Sequence, residues 1–349
     1  MLWVDQHRPK SLAGLSFHGP LTARLSAMGS SAELPHLLFY GPTGGGKKTR
    51  CSALLRAVYG PGVDKLRLDS RSFTTPSKRT LAINLIASAH HIELTPSDAG
   101  IYDRLVVNEV IKEMASHQAI GGKRGFKVVV LNDVDRLSKQ AQAGLRRTME
   151  RYTSSCRLIL LCSNQSKVIE PLRSRCLGIR VPAPTVDEIS SVLTAVGEKE
   201  KIAVPPAFAA SLARNSGRNL RRALLMLEAA AVNSAALTAQ TQVVKTDWEQ
   251  YIETLAREIT QEQSPAKLLV AREKLYELLI NCIPATVILK SLAFHLMQNI
   301  DDDLRHEIIS AASFYERRLC TGSKEIFHLE AFVAKFMSEY KRYLTNMFL

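Results

Sequence analysis

The chain has 349 residues, of which 46% are hydrophobic, so it is long enough for two or three domains with a sizeable core. Its formal charge of +13 is typical of proteins that bind polyanions. Charge alone does not distinguish a nucleic-acid-binding protein from an ordinary basic protein. The six cysteines form no CxxC pairs, and neither a leader nor a membrane-spanning run is present, so a soluble intracellular protein without zinc, disulfides or membrane partners is expected.

Residues 1–181 alternate short apolar runs with amphipathic helices, which is typical of a parallel sheet with helices on both faces. We therefore predict an α/β nucleotide-binding domain with a five-stranded parallel sheet. Its predicted strands are Leu37–Tyr40, Ile92–Thr95, Phe126–Asn132, Arg157–Ser163 and Leu177–Val181.

The first strand is followed by a glycine-rich segment that reads Gly-Pro-Thr-Gly-Gly-Gly-Lys-Lys-Thr. The phosphate-binding pattern G-x-x-x-x-G-K-[ST] needs glycines for close backbone approach, a lysine for the phosphates and a hydroxyl for Mg²⁺. Gly41, Gly46 and Lys47 fit this pattern, but Lys48 stands in the place of the hydroxyl. Thr49 cannot replace that hydroxyl, because one residue further along a helix points about 100° away. The strand, loop and helix order favours a phosphate site over a chance turn, and Lys48 puts magnesium binding in doubt.

The strand predicted before Asn132 ends at a second group of polar residues. In phosphoryl-transfer ATPases, the position after this strand is an Asp that holds Mg²⁺, and the next is a Glu that orients the attacking water. Here the two positions are Asn132 and Asp133, a degenerate pair for hydrolysis. Turn-forming residues that simply cap a strand are the alternative. Ser163 ends the following strand at the same edge of the sheet.

Two arginines lie where a phosphate partner is expected. Arg175 follows a turn and precedes the last strand, a place from which an arginine can reach across a subunit boundary. Arg221 stands at the start of a helix, where a cation opposes the helix dipole and is therefore available for an anion. A solvated surface charge is the alternative for both.

The helix predicted over Lys139–Tyr152 carries Arg146 and Arg147, and Lys112 lies in the same domain. These cations are candidates for contacts with DNA phosphates, with a solvated helix face as the alternative. No recognition module is present, so base-specific readout is not expected.

Helical patterns replace strands after Pro182. Residues 182–240 form a predicted small helical domain, and residues 241–349 form a predicted all-helical domain. The apolar stripe of the last helix, from Ile326 to Tyr340, is either a core face or a surface for partner subunits.

Several segments together resemble the small subunits of the clamp loader replication factor C, within the AAA+ ATPases. The resemblance covers nearly the whole chain, and the Lys-Lys-Thr ending of the loop most resembles the subunit at the end of the arc. The matching segments are Trp3–Pro9, Leu34–Gly41, Leu145–Tyr152, Ser174–Cys176, Leu220–Leu224 and His328–Phe332.

The resemblance implies an AAA+ module over 1–181, a helical lid over 182–240, and a collar over 241–349 through which five different subunits form a hetero-pentamer. It implies bound ATP or ADP. The residues implied in nucleotide binding are Val4, Arg8, Gly41, Gly44, Gly46, Lys47, Lys48, Thr49, Ser163 and Arg221.

Particular roles follow from the same resemblance. Arg175 would be an arginine finger for a neighbour's ATP, Arg221 the second sensor, and Ser163 stands where the first sensor is usually Asn. With Lys48 and Asn132, this departure puts hydrolysis at the chain's own site in doubt, so whether the chain is itself an enzyme stays open.

The function implied is a subunit that helps open the sliding clamp, PCNA, and load it onto primer–template DNA during replication and repair in the nucleus. Clamp loaders with a different large subunit are further implied partners. Two alternatives remain: an independently active DNA-stimulated ATPase, and a DNA-tethering subunit without nucleotide control.

Overall fold

The computed structural model describes residues 1–31, 33–74, 80–116, 125–153, 155–234, 237–238, 241–298 and 300–348. The chain divides into two compact units, Met1–Val243 and Val244–Leu349. The first is mixed α/β, and all secondary-structure elements in the described part of the second are helices. The predicted three-domain division stays a prediction, and its boundary residue 240 lies outside the described part.

A sheet with the strand order β2-β3-β4-β5-β6-β1-β7 organises the first unit. Its strands are β1 (Leu37–Tyr40), β2 (Arg67–Thr74), β3 (Thr80–Ala87), β4 (His91–Leu94), β5 (Lys127–Leu131), β6 (Cys156–Cys162) and β7 (Leu177–Arg180). Strands β4, β5, β6, β1 and β7 pair in parallel, and each coincides with a predicted strand to within one residue at either end. The five predicted parallel strands are therefore confirmed, but the sheet to which they belong has seven strands.

Sequence reasoning missed strands β2 and β3, which add an antiparallel hairpin to one side of this sheet. The residues of β2 read Arg-Leu-Asp-Ser-Arg-Ser-Phe-Thr, and only Phe73 is buried among those whose burial is described. A strand that faces solvent on both sides lacks the apolar alternation by which strands are predicted.

Nine α-helices occur among the described residues of the first unit. They are α1 (Trp3–Gln6), α2 (Gly19–Ser30), α3 (Lys47–Tyr59), α4 (Asp103–Ser116), α5 (Lys139–Arg151), α6 (Glu170–Arg173), α7 (Val186–Lys199), α8 (Pro206–Asn215) and α9 (Leu220–Asn233).

Alternate residues of the central strands feed two cores, one on each face of the sheet. Leu37 and Phe39 pack in the core that includes α2 and α3, whereas Leu38 packs in the core that includes α4 and α5. Helices α7, α8 and α9 share a third core around Phe208 and Leu227. A capping box, formed by Thr185 and Glu188, starts α7. Helices α7–α9, which correspond to the expected lid, therefore have a hydrophobic core of their own.

The second unit contains five helices in its described part. They are α10 (Asp247–Gln261), α11 (Pro265–Ile280), α12 (Ala285–Gln298), α13 (Asp302–Thr321) and α14 (Glu325–Phe348). Ser264 caps α11 by accepting a hydrogen bond from the Lys267 amide, and Pro265 lies in the first turn. The stripe of α14 is a core face, because Leu329, Phe332 and Phe336 are buried in the core of this unit.

Four of the six cysteines are buried, whereas Cys282 and Cys320 are exposed. Within the described ranges, no helix combines the length and apolarity needed to cross a membrane.

His36 joins two strands from a buried position next to β1. Its Nδ1 accepts a hydrogen bond from the Leu158 amide of β6 at 3.0 Å, and its own carbonyl accepts one from the Leu177 amide at 2.8 Å. Burial, with a smaller effect of the nearby Arg157 charge, lowers the pKa of His36 from 6.5 to about 4. The ring therefore stays neutral in the folded chain at pH values where it is protonated in the unfolded chain.

A pH dependence of stability follows. Because the pKa of His36 is lower in the folded state, its contribution is complete above pH 6.5 and is lost as the pH falls towards 4, by about 3 kcal/mol in all. His36→Asn keeps an acceptor for the Leu158 amide but cannot titrate, so we expect a flatter profile. Urea unfolding between pH 7 and pH 4, followed by Trp3 fluorescence with Trp248 replaced by Phe, measures this.

The matched control is His306→Asn, because His306 is exposed in the second unit. It should keep the slope of the parent chain. If His36→Asn loses as much stability on acidification as the parent, His36 is not the titrating group.

Candidate functional site

A cavity of about 450 Å³ lies beyond the carboxyl ends of β1, β5 and β6. Its walls come from the N-terminal segment, the glycine loop, and helices α7 and α9, all of them within the first unit. Of the predicted site residues, those that line it are Val4, Arg8, Gly44, Gly46, Lys47, Lys48, Thr49, Asp133, Ser163 and Arg221. Separate stretches of sequence are thus brought together at one edge of the sheet.

The glycine loop requires glycine at three places. Gly41, Gly44 and Gly46 have φ values of +146°, +74° and +86°, where side chains are strained. A Cβ on Gly41 would lie 1.9 Å from the carbonyl oxygen of Val181, and one on Gly44 would lie 1.8 Å from Oδ1 of Asn219. The loop is therefore pressed against the chain that leaves β7 and against the cap of α9.

Lys47 is the first residue of α3 and is folded over the loop. Its Nζ donates hydrogen bonds to the carbonyl oxygens of Gly41 at 2.7 Å and Pro42 at 2.9 Å. Burial lowers the pKa of the Lys47 ammonium, while the Asp133 carboxylate nearby opposes this shift and Arg221 adds to it. The loop thus holds a partly desolvated cation beside a second cation from the lid.

Lys48 makes a contact that sequence reasoning did not foresee. Its Nζ forms an ion pair with Oε1 of Glu93, a buried residue of β4. The same oxygen accepts a hydrogen bond from Nδ2 of Asn132 at 2.8 Å. The two residues that depart from the magnesium-binding pattern therefore meet on one carboxylate. The sequence feature that could have indicated this contact was Glu93, an acidic residue inside the apolar run of a predicted strand.

The N-terminal segment makes hydrogen bonds both to α3, which follows the glycine loop, and to the helical region that contains α7 and α9. Arg8 donates from Nε to Oγ1 of Thr49 at 3.1 Å. The Trp3 amide donates to Glu228 of α9 at 3.2 Å, and the side chains of Gln6 and His7 both contact Glu200 after α7. One short segment therefore touches the phosphate-loop helix and two places in the lid.

Arg50 is a second residue that sequence reasoning missed. It lines the cavity, it is fully buried, and its guanidinium lies 4.6 Å from the centroid of the Phe17 ring. It donates to the Phe17 carbonyl at 2.9 Å, while its Nε and Nη1 have no hydrogen-bond partner among the described residues. Burial lowers the pKa of Arg50. The sequence feature that could have indicated its role was the position of this charged residue within the apolar face of α3.

Arg175 lies outside the lining of this cavity. Its Nη2 is 2.6 Å from Oε1 of Glu150, and its Nη1 donates to the Pro171 carbonyl at 2.8 Å. Nε of Arg146 approaches the same Glu150 oxygen at 3.4 Å. The hydrogen bond from Arg175, and to a smaller extent that from Arg146, lowers the pKa of Glu150. Two candidate residues with different predicted partners thus share one carboxylate on α5.

Arg147 faces a different surface from Arg146. It lines a groove of about 370 Å³ together with Arg104 of α4 and Arg151 of α5. Lys112 also belongs to α4, but its side chain lies outside the described part of the structure. Three guanidinium groups on one groove form a surface suited to phosphates.

Three family models match successive parts of the chain. The model "DNA polymerase III, delta subunit" matches residues 20–185, "RCF1/5-like, AAA+ ATPase lid domain" matches 191–232, and "Replication factor C subunit 3, C-terminal domain" matches 248–344.

Curated relatives match over their full length. Replication factor C subunit 5 of Oryza sativa subsp. japonica is 50% identical over 353 residues, which cover 100% of both chains. Replication factor C subunit 3 of Mus musculus is 50% identical over 347 residues, which cover 99% of this chain and 98% of the relative. A solved structure of RuvB from Thermotoga maritima, 17% identical, superposes with a TM-score of 0.51 over 77% of this chain and 85% of its own, which supports the AAA+ fold.

The contact of Gly44 with the lid predicts a clash in Gly44→Ala. The methyl group would displace the Asn219 side chain, whose Oδ1 accepts from the Arg222 amide at 3.2 Å. We expect a loss of about 2 kcal/mol, about 1 from the cap and about 1 from the positive φ. Hydrogen exchange should accelerate in the first turn of α9, and urea unfolding measures the loss.

Gly217→Ala is the matched control, since Gly217 also has a positive φ but no atom within 4 Å of an added Cβ. It should show the loss of about 1 kcal/mol from strain without faster exchange in α9. Equal exchange in both variants would mean that Gly44 does not hold the cap.

Proposed function

The chain belongs to the replication factor C subunit family, and from this membership we propose that it is a nucleotide-binding subunit of a clamp loader. In this proposal it helps to open the sliding clamp, PCNA, and to place it on primer–template DNA in nuclear replication and repair. Identity of 50% over the full length of relatives named subunit 3 and subunit 5 carries the proposal.

The cavity residues fit the phosphates of ATP or ADP. Gly44, Gly45 and Gly46 carry no side chains that would shield their backbone amides from a phosphate, and α3 begins directly after them. Lys47 would hold the phosphates, Arg221 would reach them from the lid, and the segment with Val4 and Arg8 would close the cavity. Bound ATP or ADP would supply the phosphate charge that these cations neutralise.

The same residues do not fit a magnesium ion. The position of the usual hydroxyl carries the Lys48 ammonium, and the amide nitrogen of Asn132 faces Glu93 where a carboxylate ligand is usual. Because metal charge and positioning supply most of phosphoryl-transfer catalysis, we propose little or no hydrolysis at this chain's own site.

This geometry disfavours both alternatives. An independently active ATPase needs the metal ligands that Lys48 and Asn132 replace. A DNA-tethering subunit without nucleotide control gives no reason for Gly44 and Gly46, both with a positive φ, and Lys47 to line one cavity.

Arg175 is proposed to act on a neighbouring subunit. It lies apart from the cavity of its own chain and is partly exposed, with 32% of its side chain accessible beside Glu150. Transfer from Glu150 to a neighbour's γ-phosphate would exchange one anionic partner for another. The finger would therefore serve a site that this chain does not contain.

The second unit is proposed as the collar that joins four other subunits, including those of clamp loaders with a different large subunit. Large apolar side chains remain exposed on several of its helices. They include Leu269, Tyr276, Ile280, Phe294, Ile309, Phe314 and Phe327, each at least 40% accessible. Apolar surface on this scale is typical of subunit interfaces.

The complex purified through this chain tests assembly and the roles of two residues together. We expect four related subunits at equal stoichiometry. Arg175→Ala should lower ATP turnover of the complex severalfold and leave nucleotide binding at this chain's loop nearly unchanged, because a finger acts on transition-state charge in the neighbour. Lys47→Ala should weaken binding at its own loop with little loss of turnover.

Arg173→Ala is the matched control, since Arg173 is exposed two residues from Arg175. It should assemble and turn over ATP normally. If Lys47→Ala abolishes turnover while Arg175→Ala has no effect, the chain is an active ATPase and the interpretation of Lys48 and Asn132 is wrong.

The groove with Arg104, Arg147 and Arg151 predicts contacts with DNA phosphates. Arg147→Glu should weaken binding of primer–template DNA to the complex similarly for all sequences, and should reduce the salt slope by about 1 for each phosphate that the protein no longer neutralises. Arg146→Glu should have a smaller effect, because Arg146 is held by Glu150. Binding titrations at several salt concentrations measure both.

Arg257→Glu in the second unit serves as the charge-reversal control, since Arg257 is 63% exposed and pairs with Glu253 one turn away on the same helix. A loss of affinity that depends on DNA sequence and leaves the salt slope unchanged would contradict a phosphate groove.

A further inference from the structure

We propose that Lys48, Glu93 and Asn132 act as one unit that replaces the magnesium ion of the nucleotide site, with Glu93 as the positioning residue that fixes the Lys48 ammonium. This inference rests on the proposed nucleotide binding. It adds the identity of the cation and the residue that holds it.

The first step in the argument is the position of Glu93. The residue belongs to β4, whose carboxyl end lies at the same edge of the sheet as Asn132, and it is only 9% exposed. Its Oε1 contacts the Lys48 ammonium and the Asn132 amide together. A buried carboxylate requires such partners, because an unpaired buried charge is strongly unfavourable.

The second step concerns net charge. With the usual hydroxyl and Asp in place of Lys48 and Asn132, this cluster would hold two carboxylates and a neutral hydroxyl, and its charge of minus two would match a dication. With Lys48 and Asn132 present, the ammonium offsets Glu93 and the cluster is neutral. The two departures together remove the charge that Mg²⁺ would balance, and they place one cation beside the phosphate loop.

The third step concerns orientation. Asn132 presents its amide nitrogen to Glu93 and lies 3.4 Å from Oγ1 of Thr95. An Asp at this position would set a carboxylate against the Glu93 carboxylate unless a cation lay between them. Lys48 and Asn132 are therefore complementary to the same group, and Glu93 explains both.

Magnesium dependence tests the unit directly. ADP binding is titrated with magnesium and with EDTA for the parent chain, Lys48→Thr/Asn132→Asp, and the same double variant with Glu93→Gln. The parent should bind equally well in both buffers. The double variant should bind at least about tenfold more tightly with magnesium. Adding Glu93→Gln should reduce this gain, because one of the two carboxylates is removed.

A stability cycle without nucleotide provides the second measurement. Lys48→Met leaves Glu93 without its cation, so the chain should be destabilised, and Glu93→Gln added to it should restore stability, raising the folding equilibrium constant about tenfold over Lys48→Met. The exposed pair Lys245–Glu253 in the second unit is the matched control. Lys245→Met and Glu253→Gln should show no such rescue.

The outcomes separate this inference from the proposed function. If the parent binds no nucleotide in either buffer, the proposed function fails, while the stability cycle still tests the Lys48–Glu93 pair. If the parent requires magnesium, or if Glu93→Gln neither rescues Lys48→Met nor alters the magnesium response of the double variant, the inference is overturned with nucleotide binding intact. A structural ion pair alone would give the rescue without the magnesium response, and this result also overturns it.

Discussion

The rest of the site depends on the close approach of the glycine loop to the chain around it. Gly41 packs on the backbone at Val181 and Gly44 packs on the cap residue Asn219, with distances that leave no room for a Cβ. These contacts join the end of β7, the phosphate loop and the first turn of α9. A change in the loop is therefore expected to shift Arg221, which lies in that first turn and also lines the cavity.

The sequence predicted the parallel strands and the edge at which the loops meet, because buried strands are continuous apolar runs and ligands of such sheets bind beyond their carboxyl ends. It did not predict β2, whose exposed residues carry no apolar pattern, or Glu93 and Arg50, whose partners are distant in sequence. Motifs report what a family shares, whereas a single carboxylate inside a strand acquires meaning only when the fold brings Lys48 and Asn132 to it.

The chemistry of the first unit is divided among separate places. The cavity gathers cations at the carboxyl edge of the sheet, Arg147 lines a groove between α4 and α5, and Arg175 lies beside Glu150. Helix α5 carries Arg146, Arg147 and Glu150, so one rigid element touches two of these places. A short connection between the groove and Arg175 runs through α5, because Arg147 and Glu150, the partner of Arg175, both lie on this helix.

The shared contact at Glu93 also constrains how such a site can change over evolutionary time. A hydroxyl at position 48 alone would leave the buried Glu93 carboxylate without its cation. An Asp at position 132 alone would place a second carboxylate beside that of Glu93. Each single step towards a metal site is therefore unfavourable for the protein, and both steps together leave two neighbouring carboxylates that only a bound cation would balance. The two positions are therefore coupled through Glu93, and a change at either one alters the charge that the other must balance.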